Sequence, residues 1–276
     1  MKKQFLLLAG LCLYLSGLAQ VDTTGKSNTG KKEDTIQIGS MIIVKHGNPE
    51  TGDGMEVEVH HRHYYHPSNV STNWIIIDIG FANFNDRTNY SSAETQQFAP
   101  GSTSDWFNLR YGKSVDVNIW LFMQRLNVYK HVVNLKYGLG IELNNYRYTT
   151  NIKYLTNPTK IIMDTINYSK NKLATDYVTI PLMLNFNFTP HRRHEFGLSV
   201  GASAGYLYSS RQKLISNEFG KQKTHNNFDL NPWKISWVAE VQLGPVKLYG
   251  SYATQSMFKK GLDQVPYTAG IRLSNW

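Results

Sequence analysis

The densest cluster of chemically capable side chains is His60-His61-Arg62-His63-Tyr64-Tyr65-His66. Imidazoles two residues apart on an extended segment share a face, so His61 and His63 could hold a divalent metal. A tight site would need a third ligand from elsewhere, and none is evident; the alternative is a polar linker. A second set of charges lies inside apolar-rich segments: Asp78, Asp116, Lys136, Glu142, Lys234, Glu240, Lys247 and Arg272. Such charges either line an ion path or neutralise one another in a closed interior. Nucleophilic catalysis finds no support, because no G-x-S-x-G elbow occurs. Gly25-Lys26-Ser27 and Gly112-Lys113-Ser114 imitate the end of a phosphate-binding loop, but Gln20 and Phe107 stand where its first glycine belongs. The sequence therefore reads as non-catalytic, with no cofactor.

The elements that carry these charges alternate apolar and polar residues from Trp74 to the end. Eight segments are expected, at 74–85, 113–126, 132–148, 175–188, 194–209, 233–243, 246–256 and 266–276. In the first, Ile75, Ile77, Ile79 and Phe81 share one face, with Asp78 and Gly80 on the other. In the second, Val115, Val117, Ile119, Leu121 and Met123 are expected outward, with Asp116, Asn118 and Gln124 inward. Very short connections (127–131, 189–193, 244–245) alternate with mostly long ones (86–112, 149–174, 210–232, 257–265). Alternation with long and short connections in turn is the pattern of an outer-membrane barrel. The segments exceed the roughly 9–11 residues a tilted strand needs to cross a bilayer, so several should project beyond it. A soluble lipocalin-type barrel, apolar inside, is the competing all-β reading.

Aromatics give a second indication. Tyr111, Tyr146, Tyr148, Tyr177, Tyr208 and Trp233 fall at one set of segment ends, and Trp74, Tyr129, Phe188, Phe196 and Trp276 at the other. Two aromatic rings are expected at the two membrane interfaces. The fold expected is an all-β, eight-stranded antiparallel up-and-down transmembrane β-barrel at 74–276. An even strand number places the N-terminus and C-terminus together, in the periplasm, with the long loops outside.

The N-terminal part reads differently. Residues 1–19 have a basic start (Lys2, Lys3), an apolar core and small residues Gly17 and Ala19 before Gln20, as in a signal peptide. Cleavage there would remove Cys12, the single cysteine, and lower the formal net charge from +9 to +7. The lipoprotein alternative is weakened by Leu11 in front of Cys12. Residues 20–35 suit a flexible tether, and 36–73 a short β-hairpin extension and linker on the periplasmic side. The basic charge is scattered rather than clustered, which argues against nucleic acid. It is mildly concentrated in two long loops, through Lys153, Lys160, Lys170 and Lys172, and through Arg211, Lys213, Lys221 and Lys223. Docking on anionic lipid or polysaccharide, or solvated loop tips, are the readings for these.

Three stretches carry a family resemblance: Tyr177-Val178-Thr179-Ile180-Pro181-Leu182-Met183-Leu184, Gly201-Ala202-Ser203-Ala204-Gly205-Tyr206-Leu207 and Ala269-Gly270-Ile271-Arg272-Leu273. With Asp34-Thr35-Ile36-Gln37-Ile38-Gly39 ahead of them, the chain resembles the PorT-like outer-membrane β-barrel proteins over about residues 70–276. The resemblance implies eight strands, a place in the outer membrane and an accessory part in protein secretion. The partners it implies are outer-membrane lipids, the barrel-assembly machinery, and an envelope or secretion protein met through residues 20–70 or the outer loops. The terminal aromatic Trp276 suits recognition by the assembly machinery. A structural or partner-binding role is expected, with a small pore or ligand-binding transport barrel as the alternative.

Overall fold

The computed structural model describes residues 34–38, 41–46 and 56–61, by backbone alone, together with 67–190, 195–244 and 246–274. The expected signal peptide lies outside the described residues. The chain divides into two units, Met1–Tyr64 and Tyr65–Trp276. In the first, β1 (Asp34–Ile38), β2 (Met41–His46) and β3 (Glu56–His61) form an antiparallel sheet in the order β1-β2-β3. The expected hairpin corresponds to β2 and β3, with β1 added along the edge of β2.

The second unit is a closed antiparallel ring of eight strands. In chain order they are β4 (Val70–Asp86), β5 (Val115–Tyr129), β6 (Val133–Tyr148), β9 (Tyr168–Asn187), β10 (Phe196–Ser216), β12 (Trp233–Leu243), β13 (Val246–Ala253) and β14 (Gln264–Leu273). β14 pairs back onto β4, from Gln264 opposite Asp86 to Leu273 opposite Ile77, so no edge is left open. A path of directly paired residues leaves β10 at Ser199, passes Glu240, Tyr249, Gly270, Gly80, Asp116, Asn144 and Thr175, and returns to β10 at Ser210. That displacement along the strand is the stagger that closing a tilted barrel requires.

Alternation decides which side chains enter. In β6 every even residue from Asn134 to Tyr148 is buried and every odd one is at least partly exposed. The outer wall is correspondingly apolar: Ile77, Ile79, Phe81, Ile180, Leu182, Leu184, Val200, Trp237, Val241, Leu248 and Ile271 are all exposed. This inside-out distribution excludes the lipocalin-type reading. Among the described residues no helix is long and apolar enough to cross a membrane.

Of four register shifts among the described barrel strands, two interrupt the alternation well inside the wall. The register between β5 and β6 shifts at Leu121, between Trp120 opposite Gly140 and Phe122 opposite Leu139. An extra residue flips the phase of everything after it. Met123 is therefore fully buried and Gln124 half exposed, the reverse of the expected faces. A second shift, between Leu207 and Ser209, turns β10 over so that Ser210, Gln212, Leu214 and Ser216 point inward.

The long connections are folded rather than loose. The first holds helix α1 (Ala93–Phe98) and a 3-10 turn at Ser104–Phe107. The second holds a hairpin of β7 (Ile152–Thr156) and β8 (Thr159–Met163). The third holds the extension of β10 and its partner β11 (Gly220–His225), and β9 likewise runs on past the expected strand. β11 is exposed along its whole length, whereas Ile152, Tyr154 and Ile161 of the second connection are buried. The buried apolar residues of the long connections, among them Phe98, Phe107, Ile152, Tyr154, Ile161, Phe228 and Phe258, form one cluster with the inward-facing Phe84, Tyr146, Tyr148 and Leu173 of the barrel strands.

Candidate functional site

The barrel interior is the candidate site, and it is layered along its axis. At the long-loop end the apolar cluster fills the mouth. Tyr154 packs on Phe228, with ring centroids 5.3 Å apart, and Phe98 meets Phe258 edge-on at 5.9 Å. The Tyr148 and Tyr154 hydroxyls share a hydrogen bond of 2.8 Å. Burial pushes both phenols above their ordinary pKa, so they stay protonated. Helix α1 ties the first long connection to the last. Its N-cap Ser92 Oγ accepts from Thr95 N–H at 3.2 Å, and the Thr95 hydroxyl donates to the Gly261 carbonyl at 2.6 Å. Gly261 has φ +80°, and a Cβ there would stand 2.5 Å from Phe98, so this contact requires glycine.

Below this cap lies the charged layer. Alternation in β4, β5, β6, β12 and β14 brings Asp78, Asp116, Lys136, Glu142, Lys234, Glu240 and Arg272 inside, each at most 6% exposed. Arg272 is the hub. Its Nε and Nη2 donate to Asp78 Oδ1 and Oδ2, both at 2.7 Å, and its Nη1 donates to Glu240 Oε2 at 2.6 Å. Lys136 Nζ donates to the other Glu240 oxygen at 2.5 Å, and Lys234 Nζ to Glu142 Oε2 at 2.5 Å. Trp120 Nε1–H donates to Asp78 Oδ2 at 2.7 Å, with the Arg272 guanidinium 5.2 Å from the Trp120 ring centroid. Asp116 accepts from the Tyr249 hydroxyl at 2.5 Å and from Asn118 Nδ2 at 3.0 Å. Gly80 makes room here: a Cβ would lie 2.6 Å from the Tyr249 hydroxyl. Lys247, also inside, donates to Ser274 Oγ near the short-turn end.

Arg125 and Glu195 were not among the expected site residues. They form a buried bidentate pair, with Arg125 Nη2 donating to Glu195 Oε1 at 3.0 Å and Gln242 Nε2 donating to Glu195 Oε2 at 3.1 Å. The bulge at Leu121 hid Arg125 by turning a position that simple alternation sends outward. The signal was present: an arginine on an otherwise apolar face marks a break in phase. Glu195 was legible from Phe196, its outward neighbour.

The expected aromatic rings are corrected at one end. Tyr111, Tyr208 and Trp233 are exposed, but Tyr146, Tyr148 and Tyr177 are buried, because each occupies an inward position of its strand. Tyr206, Tyr252 and Tyr267 face outward there instead. At the short-turn end Trp74, Tyr129, Phe188 and Phe196 are exposed as expected, and Trp276 lies outside the described residues. The metal expectation falls at His61, described by backbone alone, and His63, which lies outside the described residues. Among the described residues no group of three or more metal-ligating side chains converges.

A void of about 30 Å3 beside Asn118, Glu142, Glu240, Tyr249 and Arg272 is room for a water molecule rather than a solute. What this interior does chemically is neutralise itself: each carboxylate in the hub is held by a cation or by hydroxyl and amide donors.

No curated protein matches this chain. Among solved structures, a mutant of Rh. blastica porin aligns at 10% identity over 87% of each chain with a TM-score of 0.13. An engineered protein of asymmetric conductivity aligns at 9% identity over 91% of this chain and 94% of its own, also with a TM-score of 0.13. The model of the outer membrane protein beta-barrel domain matches residues 78–254, most of the closed ring with its apolar outer wall. The chain belongs to the family of outer membrane proteins built on that β-barrel domain, and its place is the outer membrane.

Proposed function

We propose that this is a non-catalytic, PorT-like barrel, a structural or partner-binding component of the envelope and an accessory to protein secretion. Both termini face the periplasm and the capped end faces outward. The observation that carries the non-transport part is the interior itself. Arg272, Asp78, Glu240 and Lys136 bridge the lumen from β14, β4, β12 and β6, and the apolar cap lies beyond them. Eight strands leave an interior just wide enough for side chains. Here the space is taken by ion pairs whose separation would leave buried charges unpaired.

The accessory role is supported by the resemblance in β9, β10 and β14 and by the N-terminal unit, which a bare barrel does not need. Planar-bilayer recording tests the closed lumen. Silence is expected from the folded, inserted protein, and regular conductance steps would return the pore reading. Cross-linking and pull-down from envelopes, with the full chain and with one lacking residues 20–70, tests the partner. An envelope protein retained by the first and lost by the second is expected; identical captures would move the partner to the outer loops.

A further inference from the structure

The extensions of β9, β10 and β11 assemble a basic face that separate loops would not make. Arg147 of β6 stands directly opposite Lys172 of β9, Lys172 opposite Lys213 of β10, and Lys213 opposite Lys223 of β11. Directly paired residues project to the same side of a sheet, so four cations run in one row across four strands. One row further out, Lys170 and Lys221 flank Ile215, and one row further in stands Arg211. The acids nearby are few. Asp176 pairs with Arg211, and Glu218 sits in the turn before β11. Lys170, Lys213, Lys221 and Lys223 have no carboxylate partner among the described residues.

Like charges placed directly opposite destabilise a sheet. The reverse side is firmly anchored and fixes them there. Gln212 Nε2 donates to the Ile152 carbonyl at 3.0 Å, and Gln212 Oε1 accepts from Tyr154 N–H at 2.9 Å. The crowding is felt by the lysines. Burial and the neighbours Lys170, Arg211 and Lys213 push Lys172 down to about 8, and Lys213 is lowered too, by desolvation and the lysines around it.

The position of the face indicates what relieves this repulsion. The even residues of β9 that carry Lys170 and Lys172 continue into Val178, Ile180 and Leu182 on the outer wall. On β10 the row lies just past the exposed Tyr206 and Tyr208, and Tyr206 packs on Trp233 at 5.0 Å. Arg211 and Lys213 are about 10 and 17 Å of strand beyond Tyr208, at roughly 3.3 Å per residue. On a tilted strand that is headgroup height, immediately above an aromatic girdle. Three strand spacings make the row about 14 Å wide, enough for more than one phosphate.

We propose that this face binds the phosphate groups of a phosphorylated glycolipid in the outer leaflet, drawn from the lipid that surrounds the barrel. The inference rests on the orientation proposed above. Its test uses the folded full chain in detergent micelles, titrated with a bisphosphorylated, acylated glucosamine disaccharide and read by native mass spectrometry. A juxtamembrane cation is worth about fivefold in affinity. Lys172→Gln, Lys213→Gln and Lys223→Gln together are therefore expected to weaken binding by about 100-fold, and the same three lysines changed to Arg to retain it. The dephosphorylated glycolipid and inorganic phosphate should bind far more weakly than the bisphosphorylated form.

Equal affinity of the wild type and the Gln variant overturns the proposal, as does equal binding of phosphatidylglycerol. The shift between unheated and boiled samples verifies that each variant is folded. Labelling of Lys221→Cys on intact cells with an impermeant maleimide separates the two readings. An unlabelled cysteine overturns the orientation, and with it the source of the phosphate. A labelled one with equal affinities overturns the basic site alone.

Discussion

Arg272 commands the lumen because a guanidinium offers a planar fork of donors, and three of them are used on two carboxylates. Removing it leaves Asp78, among the described residues, with only the Trp120 indole as a side-chain donor, and returns Glu240 to Lys136 and Ser199. Arg272→Met should cost about 3–5 kcal/mol, the usual penalty for breaking a buried pair. Urea unfolding followed by the shift between unheated and boiled samples measures it. Arg272→Met with Asp78→Asn should lose less than the sum of the two single changes, because each removes the other's orphan. Additive losses would mean that the two side chains do not act as a pair. Most members of this network were legible by counting alternate residues from an apolar neighbour. Arg125 was not, because one inserted residue upstream moved it.

At the scale of elements, the bulge at Leu121 and the unpaired position opposite it, Ile75 at φ 54°, form one irregularity shared by β4 and β5. Trp74 and Ile75 both face outward there, while Ile76, Trp120 and Met123 close a small apolar cluster with Met183 inside. Inserting one alanine between Phe122 and Met123 would flip the phase once more and send Arg125 outward. It would also leave Glu195 without its arginine. The lipid-facing arginine alone costs up to about 2–4 kcal/mol at mid-membrane and less near the interface. Refolding into detergent or lipid should consequently fail for the insertion and succeed for Leu121→Ala, as scored by the unheated–boiled gel shift. Equal folding of both would show that the residue count after the bulge does not set the inward phase of Arg125. A bulge leaves little trace in composition, since its cause is the geometry of the neighbouring strands; the misplaced arginine is the trace it left here.

For the whole molecule, the cap and the ring form one body, with strand extensions and long connections sharing an apolar core. Phe228, fully buried against Tyr154, joins the third connection to the second. Phe228→Ala should cost about 3–5 kcal/mol within the cap. Limited chymotrypsin digestion is expected to cleave the long connections of this variant while the gel shift of the ring persists. An uncut variant would show that the cap is not held by this contact, and loss of the shift that cap and ring stand or fall together.

The sequence by itself determined the barrel, its strand number and its inside-out polarity. Those follow from a period of two and from connection lengths, both local properties written residue by residue. It also placed most of the lumen charges, because a strand residue's face depends only on parity. What tertiary structure alone decided is where parity breaks, at Leu121 and Tyr208, and what the long connections become. Apolar residues in those connections, such as Phe98, Ile152 and Phe228, follow no period, and their common core exists only once the ring brings four chain segments to one mouth. The same holds for the row Arg147, Lys172, Lys213 and Lys223. In sequence these are scattered charges, one at a strand end and three on two long connections; cross-strand register makes them neighbours, because pairing sets distance in a sheet and sequence separation does not.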